Sequence, residues 1–332
     1  MRLLTLAMIF FVLMSTSGCS SSERSAPAST RPVVVATFSI LADITAQIGN
    51  GVVDVVSLVP VDGDAHVYEP TPRDGVYLID AVSVVHLGLG FEPWYEELYA
   101  ASGSTAPQII ASTGIEAITF AAQFAHAEDA HAEDDHDAEA SAHAEDGQGH
   151  GGEYDPHVWH DVQLTIQMVH TIRDGLIAAL PDQQATLTAN AQAYLDELAA
   201  LDAEIVAKVA TLPIAKRQIV TNHDTFQYFA RRYQFTVLGT ALGSISTESA
   251  DPGAAKIAAL ANEIRTANVP AIFVENMANP KLIEQIARTA GVQVAPSLYT
   301  DALSSTGNAT TYVDMMRYNV GTIVTALSTV SP

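Results

Sequence analysis

Five histidines stand among nine Asp and Glu residues between His126 and His150, with no Lys or Arg between them. They are His126, His131, His136, His143 and His150, and His-Ala-Glu-Asp recurs from His126, His131 and His143. Imidazole and carboxylate are donors suited to divalent first-row metals, so the composition points to transition-metal handling. An acidic linker with incidental histidines is the plainer reading, but five of the chain's eleven histidines fall in this one stretch. A segment with almost no large apolar side chains cannot fold by itself. The tract indicates the class of ligand, and ordered elements elsewhere must provide the site.

The remaining histidines are His66, His86, His157, His160, His170 and His223. His66 follows a strand-like run and the Asp62-Gly63-Asp64 turn, a position at the carboxyl edge of a sheet where open α/β folds place ligands. His157 sits between the Tyr154-Asp155-Pro156 turn and a helix start, and His223 follows the strand-like Gln218–Thr221. Spacing alone leaves each of the three open to a ligand or a structural role. His170 lies near the apolar stripe of a helix and reads as a packing residue. His86 ends a strand and reads as structural, and His160 reads as a capping or surface residue.

The elements that must hold these side chains form an α/β pattern. Apolar, β-branched runs predict strands at Val33–Thr37, Val52–Val59, Val82–Leu87, Gln108–Ala111, Gln218–Thr221, Thr236–Gly239, Ala271–Glu275 and Val292–Ala295. Helical patterns between them imply mostly parallel sheets covered by helices. Ile166, Val169, Ile172, Leu176 and Leu180 keep a helical period, which Pro181 interrupts. Leu187, Ala191, Tyr194, Leu198, Leu201 and Ile205 then predict a helix from Asp182 to about Thr211, roughly 45 Å long. Such a helix can serve as a spine between two lobes; two ordinary helices in one large domain are the alternative. The acid/His tract reads as a disordered insertion between a strand-like segment near Gly114–Phe120 and the turn at Tyr154.

The chain's 332 residues and 48% hydrophobic content allow two ordinary domains with real cores. A net charge of −23 argues against nucleic acid or anionic lipid as the main partner and suits cations. Arg2 precedes an apolar run from Leu3 to Met14, too short to span a bilayer but suited to a secretory signal. Cys19 is the only cysteine, which excludes an intrachain disulfide and a thiolate-based zinc site. Its setting, Ser15-Thr16-Ser17-Gly18-Cys19, resembles a bacterial lipobox with Thr16 where Leu is usual. Ser20 to Pro32 then reads as a flexible tether.

Several segments together resemble the zinc/manganese solute-binding proteins of bacterial ABC transporters. They are Ala36-Thr37-Phe38-Ser39-Ile40-Leu41, Val59-Pro60 through His66-Val67-Tyr68-Glu69-Pro70-Thr71-Pro72, Asp155-Pro156-His157-Val158-Trp159, Thr221-Asn222-His223-Asp224-Thr225-Phe226-Gln227-Tyr228-Phe229 and Phe273-Val274-Glu275-Asn276. The likeness runs from about Val33 to the C-terminus. The leader and lipobox-like segment give a signal peptide over 1–18 and a lipid-anchored tether over 19–32, and the resemblance implies an N-terminal metal-binding lobe over 33–160 that carries the His/acid loop 121–153. Connecting helices over 161–211, with the spine helix, and a C-terminal metal-binding lobe over 212–332 follow. It also implies four ligands, two from each lobe: His66, His157, His223 and Asp301. Residues alone suggest only a loop or capping acid at Asp301. His160 stands where relatives usually have Leu, and His86 where many have Asn, so either could add an accessory contact.

Three imidazoles and one carboxylate suit tetrahedral Zn²⁺ as the transported ligand, whereas Mn²⁺, the alternative, prefers more oxygen donors. Four protein ligands close the shell, and neither a His-Glu-x-x-His nor a Gly-x-Ser-x-Gly motif occurs, which disfavours a secreted zinc hydrolase. A surface adhesin is compatible with export. The expected protein is a monomeric, exported, periplasmic or extracytoplasmic lipoprotein anchored through Cys19. It would hand Zn²⁺ to a membrane permease, with a periplasmic zinc chaperone as a further partner and no nucleic acid. Because histidine ligates only when neutral, affinity is expected to fall below about pH 6.5. The five tract histidines then serve as low-affinity accessory sites. Deleting His126–His150 should remove several weak zinc sites from an isothermal titration and leave the tight site intact; loss of tight binding would overturn the assignment.

Overall fold

The computed structural model describes residues 31–119, 154–244, 246–247 and 252–329. The acid/His tract, the leader and Cys19 lie outside these residues. Two sets of parallel strands organise the rest. In the first, β1 (Val33–Ala36), β2 (Asp54–Ser57), β3 (Ser83–His86) and β4 (Gln108–Ile110) form a parallel sheet ordered β2-β1-β3-β4. The order reverses direction between β1 and β3, which opens a crevice at the carboxyl ends of the strands. α1 (Ser39–Gly49), α2 (Pro72–Asp80) and α3 (Tyr95–Ser102) are the crossovers. Pro72 at the start of α2 has a preset φ, and the Asp74 carboxylate accepts the N–H and Oγ–H of Thr71, which pins the helix start just after the His66 loop.

The second set comprises two parallel pairs, β5 (Gln218–Thr221) with β6 (Thr236–Thr240) and β7 (Ala271–Glu275) with β8 (Gln293–Leu298). β5 runs beside β7 with no strand pairing between them among the described residues, and side chains link the two. Glu275 Oε1 accepts the N–H of Asn222 at 2.7 Å, and Asn222 Oδ1 accepts the N–H of Glu275 at 3.2 Å. Four helices cover this half or close it: α6 (Gln227–Tyr233), α7 (Ala254–Thr266), α8 (Pro280–Ala290) and α9 (Tyr312–Ser328).

Between the halves run α4 (Val162–Ala179) and α5 (Gln184–Ala210). Asp161 caps α4 by accepting the N–H of Gln163, and Pro181 separates the two helices. α5 has 27 residues, about 40 Å at 1.5 Å per residue, and packs against α1 and α4 on one side and α9 on the other. It is the spine that the periodicity predicts. Buried Asp202 on α5 accepts from Gln163 of α4 at 2.9 Å and from Tyr233 of α6 at 2.9 Å, and pairs with Arg232. One hydrophobic cluster runs from Val34 through Leu198 to Leu327, so both halves share a core.

The strands β1 to β4 are shorter than their apolar runs, β5 and β7 match them, and β6 and β8 run on to Thr240 and Leu298. The segment near Gly114 is a turn, with a single bridge from Thr119 to Tyr154 in place of the expected strand. His170 is exposed, its ring beside Arg173, and does not pack in the core. It stands next to Met168 and Val169, which take the buried face. A Cβ on Gly175 of α4 would lie 2.5 Å from Cγ1 and Cδ1 of Ile109 in β4. Gly175→Ala should therefore lower stability by ~1–3 kcal/mol in denaturant unfolding, despite the better helix propensity of Ala; a gain in stability would refute the close packing.

Candidate metal centre

The loop between β2 and α2 is wound tightly enough to aim His66 inwards. Asp62 adopts φ +60°, and Asp64 Oδ1 accepts the N–H of His66 at 2.9 Å. His66 is 7% exposed, and its ring meets that of Phe91 in a T-shaped contact at 4.7 Å between centroids. Phe91 follows three successive left-handed residues, Gly88, Leu89 and Gly90. That loop is held by Glu92, whose Oε1 accepts Thr37 Oγ1–H at 2.6 Å and the N–H of Leu87 at 2.8 Å. Burial pushes the Glu92 carboxyl up to about 7, against those hydrogen bonds.

His157 ends the irregular segment before a single 3₁₀ turn, Val158–His160. Asp155 Oδ1 accepts both its backbone N–H, at 2.9 Å, and its Nδ1–H, at 2.8 Å. That contact fixes the tautomer and leaves Nε2 with its lone pair towards the cleft. Nε2 of His157 is 3.3 Å from Nε2 of His66. His223 follows β5, and its Nδ1 is paired with Glu275 Oε2 at the end of β7. Its Nε2 lies 3.1 Å from Asp301 Oδ2. Asp301 follows β8 and also approaches His157 at 3.6 Å and His66 at 3.9 Å. One donor atom from each of the four residues lies within 4.8 Å of the other three, and all four side chains are buried.

The electrostatics are divided within the cluster. Burial, which outweighs the charge of Asp301, lowers His66 to about 4 and His157 to about 3, so both are neutral at pH 7. His223 is equally desolvated, but the carboxylates of Glu275 and Asp301 overcome that effect and hold it well above its ordinary value. Asp301 is the mirror case: burial opposes its charge, and the rings around it, His223 foremost, keep the carboxyl below the usual range. Asp301 reaches its neighbours at ion-pair distances without hydrogen-bond alignment on either oxygen. A buried carboxylate with misaligned partners and two neutral rings facing it is a donor set suited to a cation.

Every residue that the sequence singled out as one of four ligands converges here. His86 does not: its ring stacks on Tyr95 at 4.4 Å, and burial lowers it to about 4. His160 is neither a cap nor a surface residue; Asp161 is the cap, and His160 is fully buried against Phe226 at 4.7 Å. It lies outside the four-residue cluster, among the described residues. Asp155 and Glu275 went unassigned in the sequence, although each sits in a segment that carries the resemblance. A carboxylate closing an apolar strand, as Glu275 does, was the available signal.

The chain as a whole has counterparts among known proteins. A family model described as zinc-uptake complex component A, periplasmic, matches residues 34–326. The manganese-binding lipoprotein MntA of Halalkalibacterium halodurans is 30% identical over 322 residues, covering 96% of this chain and 97% of that protein. The zinc-binding protein TroA of Treponema pallidum is 32% identical over 312 residues, covering 92% of each. The solved structure of that periplasmic zinc-binding protein superposes with a TM-score of 0.76 at 29% identity, over 90% of this chain and 100% of that one. The family match over residues 34–326 and relatives 30% and 32% identical over more than nine-tenths of the chain make it a member of the zinc-uptake component A family, the non-enzymatic substrate-binding components of metal ABC importers that serve a membrane permease and its ATPase.

Proposed function

We propose that this chain captures Zn²⁺ through His66, His157, His223 and Asp301 and delivers it to its permease outside the cytoplasm. The observation that carries the reading is the convergence of three imidazoles and one carboxylate within 4.8 Å in a buried setting. That donor set matches tetrahedral zinc, which binds imidazole nitrogen near 2.0–2.1 Å. Asp155 and Glu275 act as outer partners that orient His157 and His223. Manganese is the second reading, favoured by the 30% identical relative named as manganese-binding. The lobe boundaries at 160 and 211, the lipid anchor at Cys19 and a collecting role for the His126–His150 tract belong to the same proposal.

Ligands from both halves imply that binding clamps the halves together. The contacts that already cross between them are short. Trp159 Nε1–H donates to the Thr300 carbonyl at 2.9 Å, Leu303 N–H to Ser39 Oγ at 3.0 Å, and Thr247 Oγ1–H to Asp64 Oδ2 at 2.8 Å. With a shared core and a common spine, any opening is confined to the loops that carry the ligands and a small relative shift.

Replacing His66 or His157 by Ala should weaken zinc binding by more than the roughly 10- to 100-fold typical of losing an outer partner, and Glu275→Gln should fall within that range. Equilibrium dialysis against equimolar Zn²⁺ and Mn²⁺ measures both; retention of manganese by the native chain would favour the second reading. The pH dependence follows from the divided electrostatics. In the metal-free chain at pH 7, His223 carries a second proton and is cationic, whereas the other two rings are neutral. Zinc should therefore release about one proton per ion, not three. Between pH 5 and 7 the affinity should rise by about tenfold per unit, steepening only near pH 4 as His66 begins to protonate. Calorimetry in buffers of different ionisation enthalpy reads the proton count directly, and a count near zero or three would refute the assignment.

A further inference from the structure

A cavity of about 540 Å³ opens beside His223 on the second half of the molecule. At about 30 Å³ per water it has room for some eighteen waters, far more than the handful around a hydrated ion. Its size falls in the range of small-molecule sites. The lining is also wrong for a bare dication. Leu242, Ile257, Met277 and Leu282 supply apolar wall, and Asp64, the one acidic side chain that lines it among the described residues, is already committed to His66 N–H and Thr247 Oγ1–H. Lys281 lines the same cavity, and its Nζ makes no ion pair or hydrogen bond among the described residues. It stands in the first turn of α8, where the helix adds further positive potential.

An uncommitted ammonium would repel an incoming dication, whereas it would attract a carboxylate. An apolar wall suits a carbon skeleton. The cavity touches the four-residue cluster through His223, which lines it. On these grounds, and resting on the metal-capture reading above, we infer that the cavity holds the organic part of a metal chelate, a small carboxylate chelator of the citrate class. Lys281 would pair with a carboxylate that is not on the ion, Leu242 and Leu282 would cover the skeleton, and the ion would pass from chelator oxygens to the imidazoles without crossing free solution.

The test uses the full chain loaded with one equivalent of Zn²⁺ and titrated with citrate, read by calorimetry and by native mass spectrometry. One chain, one zinc and one citrate should form a saturable complex. Lys281→Glu should weaken citrate uptake at least about tenfold while zinc stoichiometry stays at one. Ala254→Trp, an exposed lining position, should block the cavity with the same selectivity. No citrate uptake by the zinc-loaded native chain would overturn the inference. So would equal uptake by both variants, or equal uptake by the metal-free chain, which would mean a plain anion site. A chain that takes up no zinc removes the metal-capture reading itself, and the chelate inference with it.

Discussion

Asp301 sets the terms for everything around it. An ionised carboxylate taken fully out of water loses several kcal/mol of hydration unless positive partners replace it. Here the replacements are three rings brought from widely separated parts of the chain, and only one of them, His223, carries a second proton and with it a positive charge. That proton exists because Glu275 stands on the ring's far side. Glu275 in turn is kept in place by the backbone N–H groups of Asn222 and His223. The charge on one loop therefore dictates the ending of β5, the ending of β7 and the side-chain bridge between them.

The same economy governs the first half. His66 and His157 remain neutral through burial, and burial requires a continuous apolar collar. Phe38, Phe91 and Trp159 supply it, with ring centroids 4.7–5.4 Å apart. Trp159 also donates across to the Thr300 carbonyl, next to Asp301. Aromatic packing thus does two jobs: it dries the rings and fastens the halves. A shared core and the α5 spine convert ligand convergence into a stiff frame, in which small shifts of loops matter more than rotation of large bodies.

Strand-to-loop punctuation exposed His66, His157 and His223 in the sequence, since each follows an apolar run or a turn that must sit at a sheet edge. The α5 spine was legible for the same reason, through a period sustained over many turns. Asp301 was legible only by resemblance, because a lone Asp after a strand looks like any helix cap. His160 and His170 were misjudged in opposite senses. Periodicity gives the angle between residues on a helix but not which arc faces the core, and His160 precedes its helix altogether. The cavity beside His223 had no sequence signal, since its lining is drawn from five separate stretches of chain.

What the sequence by itself determined is the class of chemistry and the rigid elements: imidazole and carboxylate donors, parallel strands, and a spine long enough to join two halves. These follow from residue type and local period, which are properties of short segments. Only the tertiary structure decided which donors meet, which ring carries a second proton, and which histidines are left outside. Those outcomes depend on distance and burial between residues up to some two hundred and thirty-five positions apart, from His66 to Asp301, and neither quantity is carried by any local stretch of chain.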